Sequence, residues 1–168
     1  TNDDVLMYFK NIWGHLINLS LANINFTNDK KRIAFTEDLN FETKNYISTA
    51  GDRILLNPNV FTRYSYLPAA EDDRTLPLKI RRGATYRDTV EILLPEAYQV
   101  EAAFEPIHII SKFGTYKARV DKLDGSKISY SRELVLNSGT FPKEEYNNYV
   151  KFIQQVVKKD KSKIVLTK

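Results

Sequence analysis

Two runs of alternating residues joined by a short turn, within positions 116–136, constrain this chain more than any other feature. In the first run Tyr116, Ala118 and Val120 alternate with Lys117, Arg119 and Asp121; in the second Ile128, Tyr130, Leu134 and Leu136 alternate with Ser129, Ser131 and Glu133. A period of two with one polar face belongs to a strand whose other face is buried, and two such strands joined so tightly form an antiparallel hairpin. A two-residue loop of Asp124 and Gly125 would set Val120 opposite Ser129, apolar against polar. A three-residue loop of Leu123, Asp124 and Gly125 sets Val120 opposite Ile128 and Ala118 opposite Tyr130, with Gly125 supplying the left-handed conformation that the third position needs. The three-residue loop is therefore the expected connection.

The flanking sequence extends the same architecture. Tyr86, Val90, Ile92 and Leu94 share one face of a strand closed by Pro95, and short strands are expected at 98–101 and 107–111. Earlier in the chain, Asn2, Asp3 and Asp4 precede Val5, Leu6, Phe9, Ile12 and Trp13, whose spacing predicts a helix stopped by Gly14. The apolar phase then switches between Leu21 and Ile24, which predicts a strand with a bulge near Ala22 and Asn23. A turn is read at Asn28 and Asp29, with Ile33 and Phe35 opening the next strand. Ala50, Gly51 and Asp52 turn the chain into a strand at 53–56 ended by Pro58. Residues 59–78 read as a long surface loop. Past the hairpin, Pro142, Glu144 and Glu145 open a helix over 142–160, in which Tyr146, Tyr149, Val150, Ile153, Val156 and Val157 follow helical spacing. Ile164, Val165 and Leu166 form a last strand. The expected fold is mainly β: an antiparallel β-sandwich of about eight to ten short strands with a short N-terminal helix and a C-terminal helix packed on it. At 168 residues this is one domain, with 1–52 as its leading helix and strands and 53–168 as its core.

Composition removes several chemistries. With no cysteine there is no disulfide, thiolate metal site or cysteine nucleophile in this sequence. The formal charge of +4 lies wholly after Leu136, so the chain has a basic end and is not basic throughout. That end, 158–163, carries no aromatics between its lysines, which argues against single-stranded nucleic acid and for a helix end solvated by charges that suit its dipole. No apolar run is long enough to span a bilayer, and a first residue of Thr rather than Met reads as an excised or mature piece.

Several polar residues need weighing. Asp88 and Arg132 fall on the apolar phase of their strands, and a buried charge must find a partner. A structural ion pair of Arg132 with Asp88 or Glu101 is therefore expected, the functional alternative being a polar binding spot centred on Arg132. His15 and His108 are the only histidines. Without a Gly-x-Ser-x-Gly turn to supply a nucleophile they are read as structural. Glu71, Asp72 and Asp73 lack the glycine and spacing of a calcium loop. Tyr86, Tyr116, Tyr130, Tyr146 and Tyr149 are assigned to the core, whereas Tyr64 and Tyr66, with Trp13, are candidate ligand contacts. Catalytic residues, cofactors and metals are all expected to be absent.

A dispersed pattern carries a resemblance. Arg74 with Pro77, Tyr86 with Asp88, Leu94 with Pro95, Tyr98 with Glu101, Phe113-Gly114 with Tyr116, Asp124-Gly125, Tyr130 with Arg132, Tyr146, and the ending Asp160, Lys163, Ile164, Val165 and Leu166 occur in this order. Over residues 53–168 this resembles a bacterial domain of unknown function that follows a transglutaminase-like domain in exported multidomain proteins, many from Bacteroidetes. The resemblance implies that a Cys-His-Asp site lies in the preceding domain. It implies for this chain a non-catalytic accessory role in the periplasm or outside the cell, bracing or positioning that domain, as a monomer. The alternative is a carbohydrate-binding module using Tyr64, Tyr66 and Trp13.

Overall fold

Asp3 and Asp4 occupy the first turn of helix α1 (Asn2–Ile12) and Lys10 its last, each at the end of the helix dipole that favours its charge. The computed structural model describes residues 2–123 and 126–168 and divides the chain into two compact units, Thr1–Ser48 and Thr49–Lys168. The sequence reading instead treats the chain as one domain with its internal division at 52.

In the first unit α1 is followed by a hairpin of β1 (Ser20–Asp29) and β2 (Ala34–Glu42). Phe9 is buried and stacks on Trp13 at 4.6 Å, and Trp13 in turn meets Phe41 of β2 at 5.6 Å. The expected bulge is present: the register shifts between Ala22 and Ile24, and Asn23 takes a left-handed φ of 49°, which asparagine tolerates better than most residues. The turn lies later than predicted. Asp29 still pairs with Ala34, and its carboxylate accepts hydrogen bonds from the backbone N–H groups of Lys31 and Arg32, so the reversal occupies residues 30–33. Ile33 therefore belongs to the turn, exposed and at positive φ, and is not the first apolar residue of a strand.

The second unit runs through β3 (Ser48–Ala50, beginning at the boundary), β4 (Arg53–Leu56), β5 (Leu78–Ile80), β6 (Ala84–Leu93), β7 (Gln99–Ala102), β8 (Ile107–Ser111), β9 (Gly114–Lys122), β10 (Lys127–Leu136) and β11 (Gly139–Phe141) to helix α2 (Tyr146–Asp160) and β12 (Ile164–Thr167). The described strands number twelve, more than expected, because β3, β5 and β11 are three-residue pieces with no periodicity to read. The main sheet has the order β6-β10-β9-β8, a second sheet has the order β3-β4-β12-β7, and β11 pairs with β5. The pairings with recorded registers are all antiparallel. Residues 57–77 contain no regular element, as the long-loop reading expects.

Parity decides which face is wet. Tyr116, Ala118, Ile128, Tyr130 and Leu134 point inward, and Tyr146, Val150, Phe152, Ile153, Val156 and Val157 of α2 complete the core with Tyr116, Ala118, Tyr130 and Leu134. The pairing differs from the predicted one by two residues. Val120 lies opposite Tyr130 and Ala118 opposite Arg132, and the Leu123 N–H donates to the Lys127 carbonyl. A shift of two preserves every inward and outward assignment, so alternation alone cannot detect it. Asp124 and Gly125 lie outside the described residues, and with them the conformation predicted for Gly125.

Among the tyrosines read as core, Tyr116, Tyr130 and Tyr146 are buried and Tyr149 packs against the core. Tyr86 is exposed, because it sits on the edge strand β6 with a neighbour on one side only. Gly114 opens β9 after the tight β8–β9 turn with φ +154°, and a Cβ there would lie 1.9 Å from the Val135 carbonyl oxygen. Gly114→Ala must therefore push β9 away from β10. A loss of about 1–3 kcal/mol in unfolding free energy is expected, measured by denaturant titration.

Candidate functional site

The inward phase of β10 puts Arg132 in one cross-sheet row with Asp88 of β6 and Ala118 of β9. Its guanidinium forks onto Asp160 at the end of α2, Nε donating to Oδ1 at 2.8 Å and Nη2 to Oδ2 at 2.7 Å. Nη1 reaches Asp88 Oδ2 and the Thr62 hydroxyl, each at 3.2 Å, and Thr62 donates to the same Asp88 oxygen at 2.5 Å. Asp160 accepts two further bonds at 2.8 Å, from the Tyr116 hydroxyl and from the backbone N–H of Tyr64. Its own carbonyl accepts from Asn57 Nδ2 at 3.0 Å. Side-chain exposure is 1% for Arg132, 1% for Asp160 and 8% for Asp88, so water does not share these contacts.

This geometry joins β6, β9, β10, the end of α2 and the 57–77 loop at one point. A planar fork facing a carboxylate is the arrangement that makes a buried guanidinium tolerable. Burial by itself lowers the tendency of Arg132 to stay protonated, but the hydrogen bonds and charge of Asp160 outweigh it, and the guanidinium is held above its ordinary value. Burial pushes the Tyr116 and Tyr130 phenols well up, and the Asp160 charge adds to both shifts. Tyr149 is pushed up to about 12, first by burial and then by Tyr64.

A raised phenol value favours the neutral form in the folded state. Its contribution is complete below the unfolded value of about 10 and is lost as pH rises towards the folded one. Phenolate absorbance should therefore show Tyr116, Tyr130 and Tyr149 staying protonated beyond that value and ionising together with loss of the circular dichroism of the fold.

Arg132 and Asp88 come together as expected. Glu101 does not join them: it lies on β7 in the other sheet and pairs across β12 with Arg53 of β4 at 2.6 Å. That hydrogen bond holds the Glu101 carboxyl below its usual range. Asp160 is the residue that sequence reasoning missed. It stands seven positions after Ile153 and four after Val156, on the apolar stripe of α2, and the argument applied to Arg132 applies to it equally.

The candidate ligand contacts separate. Tyr64 is half-buried, packs against the core and donates its backbone N–H to Asp160, whereas Tyr66 is exposed. Trp13 belongs to the first unit, where it stacks on Phe9. His108 faces the wet side of β8. It shares an open groove of about 500 Å³ with Ser131 and Glu133, but Lys117 stands between it and Glu133 in the cross-sheet row, and Arg119 donates to the Ser131 hydroxyl. Among the described residues no cluster of three or more metal-ligating side chains occurs, and no helix is long and apolar enough to cross a membrane.

A protein-family model described as a domain of unknown function with a solved structure, DUF3858, matches residues 52–166. The chain belongs to the DUF3858 family. Comparisons of the chain with curated proteins and with solved structures gave no match. Within this DUF3858 domain some of the scattered residues that carry the sequence resemblance come together. Asp88, Tyr116, Arg132 and Asp160 share the buried network, and Tyr130 is buried in the same core cluster as Tyr116. Arg74 lies 4.0 Å above the Tyr146 ring and binds Glu71, while the Asn147 side chain accepts from the Glu71 N–H and donates to Asp72, together fixing the loop on α2.

Proposed function

We propose that this chain is a non-catalytic interaction module that braces or positions an adjacent transglutaminase-like domain of an exported protein, in the periplasm or outside the cell. The observation that carries the reading is the inward, saturated state of the network: the Arg132 guanidinium, the Asp160 carboxylate and the Tyr116 hydroxyl are spent on each other and on the loop, at 1% exposure for Arg132 and Asp160. A group in that state holds elements together and cannot meet a substrate. Support for the neighbour comes from the resemblance, and support for contact with it from exposed apolar side chains in the first unit. Leu6, Phe9 and Trp13 would be the natural contacts by sequence, but Phe9 is buried and Trp13 is partly covered; Met7, Tyr8, Ile12, Phe26 and Phe35 are the exposed ones.

The test compares the longer protein with and without residues 53–168. Removal should lower the melting temperature or the turnover of the catalytic part, and the isolated chain should show no transglutaminase or protease activity. A catalytic part equally stable and active alone, with tight glycan binding by this chain, would replace the proposal with the carbohydrate-binding alternative.

A further inference from the structure

The main sheet leaves β8 with one neighbour, β9, so its outer edge of backbone donors and acceptors has no partner strand among the described residues. On the wet face beside that edge, β8 presents His108 and Ile110, the latter 73% exposed. His108 lies opposite Lys117, and Lys117 makes no ion pair within 4 Å among the described residues. Across the sheet the cations are already engaged: Arg87 pairs with Glu133 at 2.5 Å and Arg119 with Asp121 at 3.0 Å. Lys117, whose cross-strand neighbour Glu133 is already held by Arg87, is thus a cation of the groove with no close ion-pair partner among the described residues. The groove reaches that edge through Pro106, Ile107 and His108.

We infer that the outer edge of β8 receives an extended segment of a partner polypeptide as an added strand, with an acidic side chain beside His108 and Lys117 and an aliphatic one beside Ile110. This deepens the interaction-module reading and rests on it. The alternation follows from strand geometry: neighbours on one face of a sheet lie two residues apart, so a partner strand in register with His108 and Ile110 presents an acid and an aliphatic residue two positions apart. Main-chain hydrogen bonds supply the attachment and the two side chains set its register. No aromatic lines the groove, which leaves a sugar ring nothing to stack on, and Glu133 in its floor repels a dense polyanion such as nucleic acid.

The probe is an N-acetylated, C-amidated peptide, Thr-Glu-Thr-Val-Thr-Glu-Thr, which places Glu and Val two positions apart on one face in either strand direction, titrated into the whole chain while backbone amide NMR shifts are followed. Saturable shifts should centre on β8 and on Lys117 and weaken as salt is raised. Lys117→Gln, at an exposed position, should keep the melting curve and weaken binding about five- to ten-fold. The same peptide N-methylated at alternate residues along either edge should lose binding in one phase only. Equal binding of a lysine-for-glutamate peptide, indifference to both N-methylated phases, or no shift at all would overturn the inference. So would binding of oligogalacturonate in place of the peptide. The bracing test above reads the catalytic part, so it can succeed where this one fails.

Discussion

Asp160→Ala should lower the unfolding free energy of the Thr49–Lys168 unit by about 3–5 kcal/mol, because it leaves the Arg132 guanidinium in the core without the carboxylate that neutralises it. Nothing else nearby can replace that carboxylate. Asp88 reaches Arg132 through a single Nη1 contact at 3.2 Å and already accepts the Thr62 hydroxyl. The same change removes the acceptor for the Tyr116 hydroxyl and for the Tyr64 N–H. The loss is a large part of the roughly 5–15 kcal/mol that keeps a domain folded. Denaturant unfolding should show the lower midpoint, and hydrogen exchange should show faster opening of residues 57–77, which the Asp160 side chain helps to anchor.

Truncation after Asn137 should have the larger effect. It removes Tyr146, Val150, Phe152, Ile153, Val156 and Val157, all buried, and with them β12, whose Ile164 and Leu166 are buried between β4 and β7. At about 1.5–3 kcal/mol for each fully buried side chain, even a fraction of that area exceeds the net stability of a domain. The truncated chain should keep strand-type far-ultraviolet dichroism, lose its near-ultraviolet signal, bind a hydrophobic dye and melt without cooperativity. A cooperative melt like that of the whole chain would show that the helix and last strand are dispensable.

Much of this arrangement could be read from residue spacing, and the failures have physical causes. Inward and outward faces of β9 and β10 follow from a period of two, but the pairing offset of β10 depends on all its neighbours, and an even shift costs the pattern nothing. Arg132 and Asp88 were legible because each is a charge on an apolar phase. Glu101 was misplaced because periodicity does not say which sheet a strand joins. Asp160, although part of the resemblance pattern, was not matched to Arg132 because it stands among Lys158, Lys159 and Lys161, where a charge looks solvated until the 3.6-residue stripe is followed one turn further. Tyr64 reads as a surface residue because an irregular loop has no phase, and only the Tyr149 contact and the Asp160 anchor reveal that it faces inward. The three-residue pairing of β5 with β11 is too short for any periodic signal.

The most direct test of the account is a double-mutant cycle on Arg132 and Asp160, with Arg132→Met, Asp160→Leu and the pair compared by denaturant unfolding. If the pair is the internal fastening of the domain, each single change should cost several kcal/mol and the double change should cost less than their sum by about 2 kcal/mol or more, since it removes the stranded charge along with its partner. Additive losses, within about 0.5 kcal/mol, would show that the two residues act independently and would contradict the account.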